Sequence, residues 1–202
     1  IALVTGGIGA LAAAVGELAT LDEVLAKFKT LGGNADVLRT ELSAVSKELN
    51  NSVSVTQLAA GAYDVASAGF NDAADAAKIL KVAALGAKGG FSDMETTAGA
   101  TVKVLNAYGL EADQAGKLMD QFVQTQNDGI INVNAYAQNI GKVASVASML
   151  KIPLEEVNAA ISLSTQAGVN AEVAFTGLKT AMVKLTGTAG AKKLEKWGLD
   201  IS

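Results

Sequence analysis

Acidic side chains are the one residue class in this chain whose type and spacing could support catalysis. They fall in pairs at Asp22/Glu23, Asp72/Asp75, Asp93/Glu95 and Glu155/Glu156. Two carboxylates divide the roles of acid and base only when a shared cleft pushes their proton affinities apart. Here each pair sits where a helix start or a solvated face would put it. The sequence has no histidine and no cysteine, so thiol chemistry, disulfides, Cys/His zinc sites and imidazole catalysis are excluded. Asn127-Asp128-Gly129 lacks the alternating oxygen ligands of a calcium loop and reads as a turn. No residue is therefore assigned a catalytic, cofactor-binding or metal-binding role, and the expectation is a protein that is not an enzyme.

One further stretch could bind a cofactor. Ile1–Val4 runs into Thr5-Gly6-Gly7-Ile8-Gly9, with Ala12 where the third glycine of a dinucleotide turn can be alanine. That turn works only at the end of a first strand, in a sheet of further parallel strands that the rest of the sequence does not supply. A nucleotide-dependent enzyme using the Gly6–Gly9 turn is accordingly the remote alternative. Gly6, Ala10 and Ala14 instead show the spacing of small residues that lets helices approach closely. Ile1–Gly16 carries no charge and could meet a host membrane, but it is shorter than the roughly 20 residues a span needs.

The elements that carry these residues are helical. Apolar side chains recur at helix spacing in Leu18, Leu21, Leu25 and Phe28; in Leu38, Leu42, Val45 and Leu49; in Tyr136, Ile140, Val143, Ala147 and Leu150; and in Ala171, Phe175, Leu178, Met182 and Leu185. Half the residues are hydrophobic but only 4% are aromatic, so small side chains must do most of the packing. A net charge of −4, with no long basic run, excludes specific nucleic-acid binding.

Punctuation sets the boundaries. A helix from about Ile8 ends at Gly32-Gly33; Asn34 caps a second, reaching about Asn50. Ser54 and Gln57 form a capping box that opens a third, ending near Gly69. Asn71 caps a fourth, which fades at Gly86–Gly90; Ser92 with Glu95 opens a fifth, closed after Tyr108 by Gly109. A sixth covers 111–126, and Asn132 or Asn134 caps a seventh that reaches Leu150. Pro153 occupies a first helical position, followed by Glu155 and Glu156, and that helix ends at Gly168. Asn170 caps the next, to about Thr186, and a short helix follows near Ala191–Trp197, with Trp197 as its partly buried anchor. Met94, Met119, Met149 and Met182, with Phe122 and Phe175, are expected in the core.

Sliding the chain against itself by 78 residues aligns Val55 with Val133, Val65-Ala66-Ser67 with Val143-Ala144-Ser145, Gly90 with Gly168 and Gly99 with Gly177. The organisation that follows is all-α. Residues 1–50 form an apolar, heptad-patterned lead-in, and 51–188 a helical core. Within that core two related three-helix units, about 53–108 and 131–186, are joined by the helix 111–126; residues 189–202 begin a following segment.

Ser54-Val55-Thr56-Gln57-Leu58 followed by Tyr63-Asp64-Val65-Ala66-Ser67-Ala68-Gly69-Phe70 resembles the core region of tail tape measure proteins of long-tailed bacteriophages. The resemblance continues in order through Leu105–Leu110, Ala112–Ala115, Ile152–Val157, Gln166–Val169, Gly177–Ala181 and Trp197–Ile201. Pro153 stands where that family has a small polar residue, and it suits the same helix start.

The resemblance implies a structural protein of the virion, or its counterpart in a phage-tail-like contractile particle. Such a protein is assembled in the host cytoplasm, lies in several copies in the tail tube or at its tip, sets tail length and leaves ahead of the DNA. Its implied partners are sister copies of itself, tail tube proteins, and tail tip or baseplate hub proteins. The alternative is a membrane-active or tip-bound helical module of a contractile injection particle, reaching a host membrane through Ile1–Gly16. No cofactor is implied.

Overall fold

Helix-forming signals dominate the computed structural model, which describes residues 20–89 and 92–187. Its elements are α1 (20–30), α2 (Ala35–Glu48), α3 (Val55–Ala59), α4 (Ala62–Ser67), α5 (Ala73–Lys88), α6 (Met94–Tyr108), a 3₁₀ turn (Ala112–Gln114), α7 (Ala115–Asp128), α8 (Val133–Met149), α9 (Leu154–Gln166) and α10 (Ala171–Thr186). No strand occurs among the described residues. The fold is all-α, as the periodicity predicts. The chain divides into two compact units, Ile1–Val102 and Lys103–Ser202, so that α6 contributes its first part to one and its last part to the other.

Most helices start where a side chain can satisfy the free N–H groups of the first turn. The Asn34 side chain accepts from Asp36 and Val37, that of Asn132 from Ala135, and that of Asn170 from Glu172. Ser54 and Gln57 form the reciprocal capping box. Two starts lie one residue later than the sequence suggests. Asp72, not Asn71, caps α5, because the Asn71 amide is drawn away to donate to the Leu31 carbonyl. At α6 the capping carboxylate is Asp93, which accepts from the Thr96 N–H at 2.7 Å and the Thr96 hydroxyl at 2.8 Å. Those bonds hold the Asp93 carboxyl below its ordinary range. Pro153 is likewise the residue before α9, with an extended ψ of 148, and Leu154 is the first helical residue.

Two further boundaries differ. The single helix expected from Ser54 to Gly69 is broken at Gly61 into α3 and α4. Gly61 lies so close to α6 that an added Cβ would meet the Ala98 Cβ at 2.6 Å, so the break falls at a residue with no side chain to clash. α7 runs through Asn127 and Asp128, so only Gly129 of the supposed turn ends a helix.

The core of the first unit joins Leu21, Leu25 and Phe28 of α1 to Leu38 and Leu42 of α2, Leu58 and Val65 of α3 and α4, and Ile79 and Leu80 of α5, all buried. Ala73, Ala76, Ala77, Ala83 and Ala84 are buried along α5, whose small surface lets α2 pack directly on it. In the second unit α8 is the central helix, touching α7, α9 and α10. Phe122, Tyr136 and Phe175 meet at its first turn, with ring centroids 4.9 and 5.6 Å apart and tilted or edge-on planes. Such pairs add about 0.5–1.5 kcal/mol each beyond the area they bury.

Of the four methionines, Met119 and Met182 are buried as expected, whereas Met94 is half-buried and Met149 is 82% exposed. Met149 is the last residue of α8. Leu150 and Leu185, at the ends of their stripes, are also not fully buried.

Candidate assembly surface

The carboxylate pairs are not brought together. Asp22 pairs with Arg39, and Glu23 with Lys27 at 2.8 Å on an exposed face of α1. Asp72 and Asp93 act as helix caps, and Asp75 pairs with Lys78 at 2.8 Å. Glu155 accepts from the Gln121 amide at 2.6 Å, and Glu156 is exposed in the first turn of α9. No group of three or more metal-ligating side chains forms among the described residues.

A cleft of about 400 Å³ lies in the second unit between α7 and α9 and is lined by Gln121, Gln124, Asp128, Asn158, Ser162 and Gln166 among others. Amides and hydroxyls make up most of its polar lining, with the Asp128 and Glu155 carboxylates beside them. The groups around it tie one helix to the next: Gln166 donates to the Asp128 carbonyl, the Ser162 hydroxyl to the Thr125 carbonyl at 3.3 Å, and the Ile130 N–H to the Thr165 hydroxyl at 3.1 Å. Nothing in it pairs a nucleophile with a base.

Two phenols are held neutral. Burial pushes Tyr136 far above the usual tyrosine range while its hydroxyl donates to the Asn158 side chain at 2.6 Å. Burial raises Tyr108 to about 12, aided by the nearby Glu155 charge, and its hydroxyl donates to the Ile152 carbonyl at 3.2 Å. Both bonds stitch the second unit together rather than activate oxygen. Periodicity pointed to Tyr136 as core. The amide partners from α7 and α9 carry no sequence signal, because they depend on which helices become neighbours.

What the surface does offer is apolar area. In the second unit Ile130 and Leu163 are mostly exposed, and Val173, Val183 and Leu185 on α10 are about half exposed. Tyr63 and Leu85 are the comparable residues of the first unit. No helix among the described residues is long and apolar enough to cross a membrane. Ile1–Gly16, the Gly6–Gly9 turn, and Trp197 with the helix expected at Ala191–Trp197 lie outside the described residues.

A probable tape measure protein of Clostridium phage phiCD119 is 29% identical over 196 residues, covering 93% of this chain and 21% of that protein. The tape measure protein of Pneumococcus phage Dp-1 is 32% identical over 158 residues, covering 76% of this chain and 13% of that protein. The chain thus spans a small part of the length of the relatives it matches. No solved structure matches it. The model of the phage-related minor tail protein family matches residues 39–202, which leaves out little of the described chain beyond α1 and the start of α2. On that match, the chain belongs to the phage-related minor tail protein family.

Proposed function

We propose that this chain is a segment of a tape measure protein that contributes to setting tail length during tail assembly. Family membership makes it a structural component of a phage tail and not an enzyme. The observation that carries the finer reading is the collinear similarity to two phage tape measure proteins, which covers most of the chain rather than one motif. The acids and amides support it, since Asp72 and Asp93 cap helices and Glu155, Gln121 and Gln166 tie one helix to the next. In this reading the segment occupies the tube lumen or the tip, among sister copies and tube or hub proteins, and leaves ahead of the DNA.

The test is an in-frame deletion of residues 115–186 from the parent gene, with tail length measured by negative-stain electron microscopy. If the segment is drawn out as helix in the assembled tail, loss of 1.5 Å per residue shortens the tail by about 110 Å. If it stays folded, the change is limited to about one helix length, roughly 25 Å for a 17-residue helix such as α8. Tails of unchanged length would reject the ruler role for this segment.

A further inference from the structure

Single exposed apolar side chains are ordinary on a protein surface, and Ile130, Met149 and Leu163 stand alone in this way. α10 is different. Ala174, Phe175 and Met182 are buried on the side where it packs on α8 and α9. At about 3.6 residues per turn the opposite side carries Val173, Thr176, Thr180 and Val183. All four are exposed, the two valines by 60% and 51%. Their spacing is that of successive a and d positions of a coiled coil, filled by side chains branched at Cβ. The Thr180 hydroxyl donates to the Thr176 carbonyl at 2.8 Å, so Thr180 can be covered without stranding a polar group.

The stripe is symmetric about the level of Leu178. Val173 and Val183 lie five residues to either side of it, and Thr176 and Thr180 two. A second α10 laid antiparallel on the first therefore sets Val173 on the partner's Val183 and Thr176 on the partner's Thr180, so that every a position meets a d position. The flanking charges obey the same symmetry. Glu172 and Lys179 each precede an a residue, and residues so placed face each other across an antiparallel pair: Glu172 meets the partner's Lys179, and Lys179 the partner's Glu172. On the other flank Lys184 meets the partner's Gly177, and no like charges are opposed. In a parallel pair Lys179 would instead face the partner's Lys184, on both sides of the seam. Within its own chain Glu172 accepts from Lys142 at 3.2 Å and stays 71% exposed, which keeps its charge at the edge of this face.

We propose that the outer face of α10 is an interface between two copies of this chain, packed antiparallel about the level of Leu178. One pair of helices of this length is smaller than the roughly 1,200 Å² at which standard interfaces begin, so the contact is weak and reversible. Its charges select orientation more than they add affinity. The interface gives copies of the segment a point of contact without resting on the tail-length reading: its test reads association in solution, and either can fail without the other.

Sedimentation equilibrium of the 202-residue chain from about 1 to about 500 μM spans the Kd range of so small an interface. It is repeated for Glu172→Lys and Lys179→Glu, separately and mixed one to one, and for Val183→Asp, with circular dichroism checking that each keeps the parent's helix content. Either charge substitution alone opposes like charges at both flanking pairs and should weaken dimerisation about tenfold. In the mixture the two lysines of one copy face the two glutamates of the other, and association should return to the parent's level. Val183→Asp, which sets a charge on the partner's Val173, should leave the chain monomeric. Four results would overturn the proposal: a parent chain that is monomeric throughout the range, tighter self-association of Lys179→Glu, which is the mark of parallel pairing, a mixture no tighter than the single variants, or a Val183→Asp chain that dimerises as the parent does.

Discussion

Tyr136 combines two demands that seldom meet in one side chain. Its ring joins Phe122 and Phe175 in the packed centre of the second unit, and its hydroxyl has to find a partner there without water. Asn158, itself buried, is that partner. Tyr136→Phe keeps the ring but leaves the Asn158 oxygen without its donor, which costs about 1–3 kcal/mol; urea unfolding of the variant checks it. The same residue sets an alkaline limit. A phenol whose folded-state pKa is raised contributes stability that is fully present below its unfolded value, about 10. That contribution falls away as pH rises through the folded-state value, about 12 for Tyr108 and higher for Tyr136. Stability should therefore drop above about pH 10, less steeply in Tyr136→Phe than in the parent. The three rings lie on stripes that sequence periodicity exposes, so their burial was legible. Asn158 as a partner was not, because a polar residue on a helix declares its neighbour only after the helices have packed.

Helix boundaries reveal how local signals compete. Asn34, Ser54, Asn132 and Asn170 cap where the sequence places them, because each has a free side chain directly before an apolar-periodic run. Asn71 and Asp72 are both good caps, and the tie is broken by a carbonyl forty residues away in sequence, Leu31, which takes the Asn71 amide. No local rule contains that contact. Gly61 is similar, since its break in the helix answers to Ala98 on α6. A glycine between helices and one within a helix predict opposite effects. Gly61→Ala forces a methyl against the Ala98 Cβ at 2.6 Å and should destabilise by about 1–3 kcal/mol. Gly116→Ala in α7 meets nothing within 4 Å and should stabilise by about 0.4–1 kcal/mol, because it restricts the unfolded chain. Thermal melts of the two variants against the parent check both signs.

At the scale of the molecule, two units divide within α6, between Val102 and Lys103. All-α architecture follows directly from the periodicity and from the lack of strand-like runs. The position of the division does not, because one uninterrupted helical pattern runs across it. Each unit has its own apolar centre, so damage to one should be felt mainly there. Leu42→Ala, at a fully buried position in α2, should cost about 2–5 kcal/mol. Native-state hydrogen exchange should then show loss of protection in α2 and α5, with α8 and α9 nearly unchanged; equal loss in all four would mean the units open together.

Buried threonines satisfy themselves. The Thr97 hydroxyl donates to the Asp93 carbonyl, Thr101 to Thr97, Thr125 to Gln121 and Thr165 to Ile161, each one turn back along its own helix. When neighbouring helices are peeled apart these hydroxyls keep the acceptors they donate to, and only Thr165 gives up a partner, the Ile130 N–H it accepts from. Helices wired in this way can part from one another while the hydrogen bonds along each rod stay made.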